Sequence, residues 1–477
     1  MTASSPEVDY SKKWYVLSAV GMGVFLATID GSIVNVSLPT MEKSFQTDFA
    51  LVQWVVLAYL LTVTTLMLGI GRLADIYGKK PIYTTGFIVF TIGSVLCGLS
   101  PTIYTLIGFR VVQAVGAAMI MALGMAIVTE AFPGSERGRA LGISGTIVSV
   151  GIALGPTLGG VIIQNLSWHW IFFVNLPVGI IGTWMVTRFV PSFKPPGGQR
   201  FDYWGALTLC VSLLSLLVAL TLGQRNGFDD IVVILLAGMF IVFLTIFIII
   251  ELRMEQPMID LRLFRNTLFS VSLTTGFIIF VCLSGSLILM PFYIQNVLGF
   301  DPQQTGLLMA TVPVALGVIA PISGSLSDRF GSRPITVSGL AVLTIGFLAV
   351  SSLNAETTTF GYILRFLPVG LGMGIFQSPN NSAIMGAAPR ARLGIASGML
   401  AVTRTLGQTT GIATLGALWA GQVYKHAGSV ITGGATSAPI FAQVSALRDT
   451  FVIVSVLIFI ALLLSIWGLR EERKQRN

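Results

Sequence analysis

Gly71–Pro81 reads GRLADIYGKKP, and Gly324–Pro334 reads GSLSDRFGSRP. Both follow the pattern Gly-x-Leu-x-Asp-x-x-Gly-x-basic, and the second begins 253 residues after the first. A fainter echo sets Arg110 and Gly116 against Arg365, Gly370 and Gly372, at nearly the same offset. Self-similarity at a fixed distance marks a duplicated structural unit. Each copy lies between two long apolar stretches, so the duplicated unit is a set of membrane-spanning helices.

A spanning helix needs about 20 apolar residues. Fourteen stretches qualify, at roughly 14–38, 50–75, 82–100, 102–128, 138–163, 170–190, 203–221, 230–252, 268–297, 304–328, 334–353, 358–387, 394–421 and 448–470. Two halves of six spans, at about 33 residues per span, would put the repeat near 200 residues apart. The surplus of about 55 residues is two further spans. The chain is therefore expected to be an all-α polytopic membrane protein of fourteen helices. Residues 1–13 form a cytoplasmic N-terminus and 14–190 an N-terminal six-helix bundle. Residues 191–265 are a linker with two inserted helices that carry no deep polar residue and pack beside the bundles. Residues 266–470 form a C-terminal six-helix bundle and 471–477 a cytoplasmic tail. The long segment 422–447, rich in Gly, Ser and Thr, is a candidate lid over the outer mouth.

Composition agrees. The 477 residues include 28 Lys and Arg and 20 Asp and Glu, 10% charged in all, with 54% apolar residues and a mean hydropathy of +0.85. Soluble proteins carry about 25% charged residues. A soluble enzyme, a nucleic-acid binder and a disordered scaffold are thereby excluded. The net charge of +8 reflects a basic cytoplasmic face rather than nucleic-acid binding. With the N-terminus inside, 21 basic residues fall on inner segments and four on outer ones, while Arg110, Arg365 and Arg404 fall within spans. Both termini are then cytoplasmic. The first apolar stretch is too long for a cleaved leader and reads as a retained span.

Cofactor chemistry finds no footing. Cys97, Cys210 and Cys282 lie in apolar stretches and read as free thiols. His169 and His426 are far apart, so no metal site is expected. No Gly-x-x-x-x-Gly-Lys-Ser/Thr loop occurs, which leaves an ion gradient as the energy source.

Three features carry the functional reading. In the repeated loop, Asp75 and Asp328 stand at the inner ends of spans, where they can face helix N-termini. Lys79, Lys80, Arg329 and Arg333 can pair with them, and Gly71 and Gly78, with Gly324 and Gly331 in the second copy, allow close approach. These residues form a candidate cytoplasmic gate; the alternative is a tight charged turn. In the fifth span, Gly151, Gly155 and Gly159 share one helix face, Pro156 can bend the helix, and Gly160 follows. Asp30 is the sharpest feature, because an acid well inside a span is a functional site by default. Asp30 lies about eight residues before the outer end of its span and Arg110 about eight after the outer start of its own, so both sit about 12 Å deep. Arg110 favours the carboxylate and desolvation favours the acid. Such opposition suits a group that loads and releases a proton; a static ion pair is the alternative.

The repeated loop resembles the signature loop of the major facilitator superfamily, and the resemblance runs the length of the chain. LATIDGSIVNVSLP (Leu26–Pro39), IGFRVVQAVGAA (Ile107–Ala118) and GIALGPTLGG (Gly151–Gly160) resemble the first-, fourth- and fifth-span motifs of its fourteen-span drug:proton antiporters. Ala114 departs from the usual Gly. WHWIFFVNLP (Trp168–Pro177) resembles the entry to span six, with His169 where relatives often have Arg. The resemblance implies two bundles around a central cavity, alternating access, and Asp30 as the proton carrier tuned by Arg110 and Gln113. It implies a proton-driven exporter of hydrophobic, often cationic, small molecules in a bacterial inner membrane, working as a monomer with the lipid bilayer, protons and cargo as its only partners. The rival readings are export of an endogenous lipid, siderophore or metabolite, and a transport-inactive sensor or scaffold. Candidate cavity residues are Asp30, Gln113, Trp54, Tyr59, Tyr293, Asn296, Gln377, Asn380, Asn381, Arg404 and Gln408. Trp54 and Tyr59 can equally belong to an interfacial aromatic belt, and the others to helix–helix hydrogen bonding.

Overall fold

Gly78 and Gly331 hold φ at +93° and +90°, a region closed to side chains with a Cβ. Each ends one helix and starts the next, at Tyr77/Lys79 and at Phe330/Ser332. The sequence repeat is thus one turn built twice. The computed structural model describes residues 10–133, 136–192, 202–254, 261–387, 393–429 and 431–476.

Fourteen long helices follow, labelled α1 (Lys13–Ser44), α2 (Trp54–Tyr77), α3 (Lys79–Gly98), α4 (Ile103–Ala131), α5 (Arg137–Asn165), α6 (Asn175–Phe189), α7 (Tyr203–Asn226), α8 (Ile231–Arg253), α9 (Thr267–Phe292), α10 (Thr311–Phe330), α11 (Ser332–Val350), α12 (Thr359–Ala387), α13 (Leu393–Ala427) and α14 (Ile440–Arg476). Among the described residues, thirteen spans are long and apolar enough to cross a bilayer. The exception is α13, which carries Arg404, Gln408 and many threonines and glycines. The span expected at 304–328 is broken into a short helix, Pro302–Met309, and α10. Pro313 has no N–H for the carbonyl of Met309, so the continuous ladder fails there.

Within residues 14–190, α1 packs on α5, α4 and α6, and α4 on α2 and α3. Within 266–470, α9 packs on α13 and α14, and α12 on α10 and α11. The two sets meet where α5 touches Pro302–Met309 and where α2 touches α13. One end of the molecule is marked by Lys79 and Arg333 and is called the basic end; the other is the far end.

The halves are sealed at the far end. Gln295 Nε2 donates to the Val36 carbonyl (3.1 Å), and Phe49 stacks edge-on against both Phe292 and Trp419. The long outer segment is shorter than its composition suggests, because α13 runs to Ala427 and α14 starts at Ile440. Its Thr436 Oγ1 donates to Glu42 Oε1 at 2.5 Å, tying the C-terminal half to the end of α1. Among the described residues, no hydrogen bond or ion pair joins the two halves at the basic end.

The inserted pair is less passive than its composition implied. α8, with mean hydropathy 3.2, is only 11% buried and leans on α7. α7 does carry polar anchors. Trp54 Nε1 donates to Thr221 Oγ1 (2.8 Å), and Gln53 Nε2 to Gln224 Oε1 (3.4 Å). These bonds fix α7 to α2, while its other face lies against α13.

Candidate functional site

Asp30 lies in the middle of α1 with no exposure to solvent. Two helices send three donors to it. From α4, Arg110 Nη1 reaches Asp30 Oδ2 at 2.6 Å, and Gln113 Nε2 reaches Oδ1 at 2.8 Å. From the start of α6, Asn175 Nδ2 reaches Oδ1 at 3.1 Å. Arg110 and Gln113 are one turn apart, so one helix face presents both. Arg110 and Gln113 are fully buried, and Asn175 nearly so.

The partners are themselves held. Arg110 Nε donates to the Val55 carbonyl (3.0 Å) and Nη1 to Gln113 Oε1 (2.7 Å). Its guanidinium lies 4.2 Å from the Tyr59 ring centre. Asn175 Nδ2 also donates to Ser94 Oγ, which donates to the Phe172 carbonyl.

Helix rise placed Asp30 and Arg110 at one depth and the family resemblance added Gln113; the structure brings the three into one cluster. It missed Asn175. The available signal was the amide in NLP at the entry to α6, beside a proline and next to a span.

Several cavity candidates stand elsewhere. Asp30 and Gln113 are fully buried inside the N-terminal half. Tyr59 is buried beneath Arg110, with its hydroxyl lacking a partner among the described residues. Trp54 faces α7. Tyr293 is tied through its hydroxyl to the Asn354 carbonyl (2.6 Å), because α9 ends there in a π turn beside that loop. Asn380 is buried and donates to the Ser272 carbonyl (3.1 Å), bracing α12 on α9. Asn296, Gln377, Asn381, Arg404 and Gln408 are partly exposed, with no hydrogen bond within the described residues.

The gate residues behave differently from expectation. Lys79 pairs with Glu130 of its own half, and Arg333 with Glu472 (3.0 Å) and the Leu268 carbonyl (2.9 Å) of its own half. Asp328 and Arg329 are exposed, and Arg329 lies over the Phe330 ring. The side chain of Asp75 lies outside the described residues. Gly71 has open space where a Cβ would stand, so close approach is not its role; Gly78 and Gly331 are needed for their φ. The side chain of Ser378 lies 3.2 Å from where a Gly324 Cβ would be.

The fifth-span glycines do meet another helix. A Cβ on Gly151 or Gly155 would collide with Thr28 or Ser32 of α1, and one on Gly159 would stand 2.7 Å from Ile33. Ser32 Oγ donates to the Gly151 carbonyl (3.3 Å). Gly160 lies against the Pro302 carbonyl, and the Pro156 carbonyl against Gly306. One face of α5 thus grips α1 close to Asp30, and the next grips the opposite half. At the far end His169 stacks on Trp168 (3.7 Å) and shares a 2.6 Å hydrogen bond with Ser167, and its burial lowers its pKa.

The family model described as Major Facilitator Superfamily matches residues 20–412. The chain belongs to the major facilitator superfamily. It is 35% identical over 474 residues to "Riboflavin transporter RibZ" of Clostridioides difficile, covering 97% of this chain and 99% of that protein. It is 34% identical over 406 residues to "Multidrug resistance protein Stp" of Mycobacterium tuberculosis, covering 85% and 75%. Among solved structures, a bacterial homolog of the human lysosomal transporter Spinster, inward-facing and occupied, superposes with a TM-score of 0.69 at 18% identity, covering 96% of this chain and 97% of that one. The protein is a multi-pass membrane transporter.

Proposed function

We propose that the protein is a proton-coupled exporter of hydrophobic, often cationic, small molecules, working by alternating access as a monomer in a bacterial inner membrane with both termini cytoplasmic. The supporting observation is the solvent-free carboxylate of Asp30 with its three donors on α4 and α6. The basic end then faces the cytoplasm, and the far-end seal makes this an inward-facing conformation. Protonating Asp30 removes the charge that draws Arg110, Gln113 and Asn175 to α1. Ser32, two residues further along α1, rests on Gly151 of α5, and α5 touches the other half. A proton at Asp30 thereby alters the packing that holds the far end shut. Cargo and proton communicate through helix packing and need not meet at one oxygen.

Reconstituted protein tests this. Dye efflux should carry protons in the opposite direction, read by a lumenal pH indicator, and Asp30→Asn should uncouple or stop both. Efflux without proton movement, or full coupled efflux with Asp30→Asn, refutes the reading. A second reading, export of a metabolite, draws on the end-to-end similarity to a relative named for riboflavin. Vesicles that move riboflavin but not ethidium would select it.

A further inference from the structure

Arg404 of α13 has no counterpart to the Asp30 cluster. It stands 11 residues past Leu393, about 17 Å along the helix, well inside the span. Of the acids of the C-terminal half, Asp301, Asp328 and Glu356 lie at helix ends or in a loop, and Asp449, inside α14, pairs with His426 at the end of α13. Among the described residues, Arg404 has no ion pair and no hydrogen bond; the ring of Phe280 on α9 lies 5.6 Å from its guanidinium carbon. Phe280 is 7% exposed, so Arg404 turns into the protein rather than toward lipid. Gln408 lies one turn further on α13, partly exposed and equally without a hydrogen bond. The contrast with Arg110, whose donors meet Asp30, Gln113 and Val55, is sharp.

A guanidinium carries five N–H donors and cannot be neutralised by losing its proton. Inside a membrane protein such a charge is paired, or it marks a ligand path. A planar fork over an aromatic ring, with an amide one turn away, suits a carboxylate or comparable oxyanion on an aromatic body. We propose that Arg404, helped by Gln408, docks a carboxylate of the cargo while Phe280 packs against its aromatic part. The preferred cargo is then an aromatic amphiphile bearing an acid group, zwitterionic where it also carries a cation. Calling this ligand the cargo rests on the export reading above, whereas its binding can be measured without transport.

The test is fluorescence polarisation with the purified full chain in detergent, using rhodamine B, which bears a carboxylate, and its ethyl ester, which does not. Wild type should bind the acid at least about tenfold tighter than the ester. Arg404→Gln should bring the two within about twofold, chiefly by weakening the acid, Gln408→Leu should shrink the gap, and Arg404→Lys should keep a clear preference for the acid. If Arg404→Gln also loses the ester through misfolding, Arg404→Lys and Gln408→Leu decide. Equal binding of both dyes by wild type, no binding of either, or an unchanged ratio in Arg404→Gln overturns the proposal. Dye-driven proton movement in proteoliposomes is measured separately, so failure of the transport reading shows as missing proton flux with dye preference intact.

Discussion

Replacing Arg110 with Met leaves the Asp30 carboxylate buried without its cation. Breaking a buried pair from one side costs about 3–5 kcal/mol. Asp30 keeps two neutral donors, at 2.8 Å from Gln113 and 3.1 Å from Asn175, each worth about 1 kcal/mol, which places the charge penalty at the low end. Losing the Val55 hydrogen bond and the stack on Tyr59 adds about 1–2 kcal/mol that no second mutation recovers. Asp30→Asn in the same chain removes the stranded charge. The double variant should therefore be more stable than the sum of the single effects by about 2–3 kcal/mol. An exposed ion pair would give only about 0.2–1 kcal/mol. The assay is denaturant unfolding in micelles followed by tryptophan fluorescence for wild type, both singles and the double. Additivity within about 0.5 kcal/mol would refute the account, since it would mean the two groups do not share a dry site.

The turn glycines give a second contrast. Gly78→Ala and Gly331→Ala should each cost about 1–3 kcal/mol, because φ near +90° excludes a Cβ, while Gly71→Ala in open helix should be neutral or gain up to about 1 kcal/mol; melting in detergent reads all three. On α5, Gly155→Ala should cost about 1–3 kcal/mol, as its Cβ would stand 2.9 Å from that of Ser32, whereas Gly145→Ala meets nothing within 4 Å and should leave melting unchanged. For His169, NMR titration should give a midpoint below the ordinary 6.5. The folded state then binds this proton more weakly than the unfolded chain. Its stabilising contribution is complete above pH 6.5 and is lost as pH falls through the depressed folded value.

The duplicated loop carried most of the fold, because one left-handed glycine per copy leaves a fixed trace: Gly78 and Gly331. The depth match of Asp30 and Arg110 was legible because helices advance by a constant rise. Asn175 was harder to see. It enters through a short helical turn, Trp170–Phe173, whose angle to α6 no hydrophobic pattern encodes. The partner of Trp54 was hidden for a related reason. An indole at an interface can face a cavity, a lipid or a neighbour, and only the position of α7 brings Thr221 within reach. Lys79 and Arg333 show that charge complementarity alone does not choose partners. Glu130 and Glu472 lie within their own halves and at bonding distance, and they win over any acid across the gap.

The closed shell around Asp30 bears on leakage. Both carboxylate oxygens are occupied by donors, and no solvent reaches them. With Asp30 wholly buried, a proton from either side reaches it only when the helices around it part. On the proton-coupled reading proposed above, a carrier built this way would resist idle slippage of protons at rest, and the gradient across the membrane would not be drained while no cargo is bound.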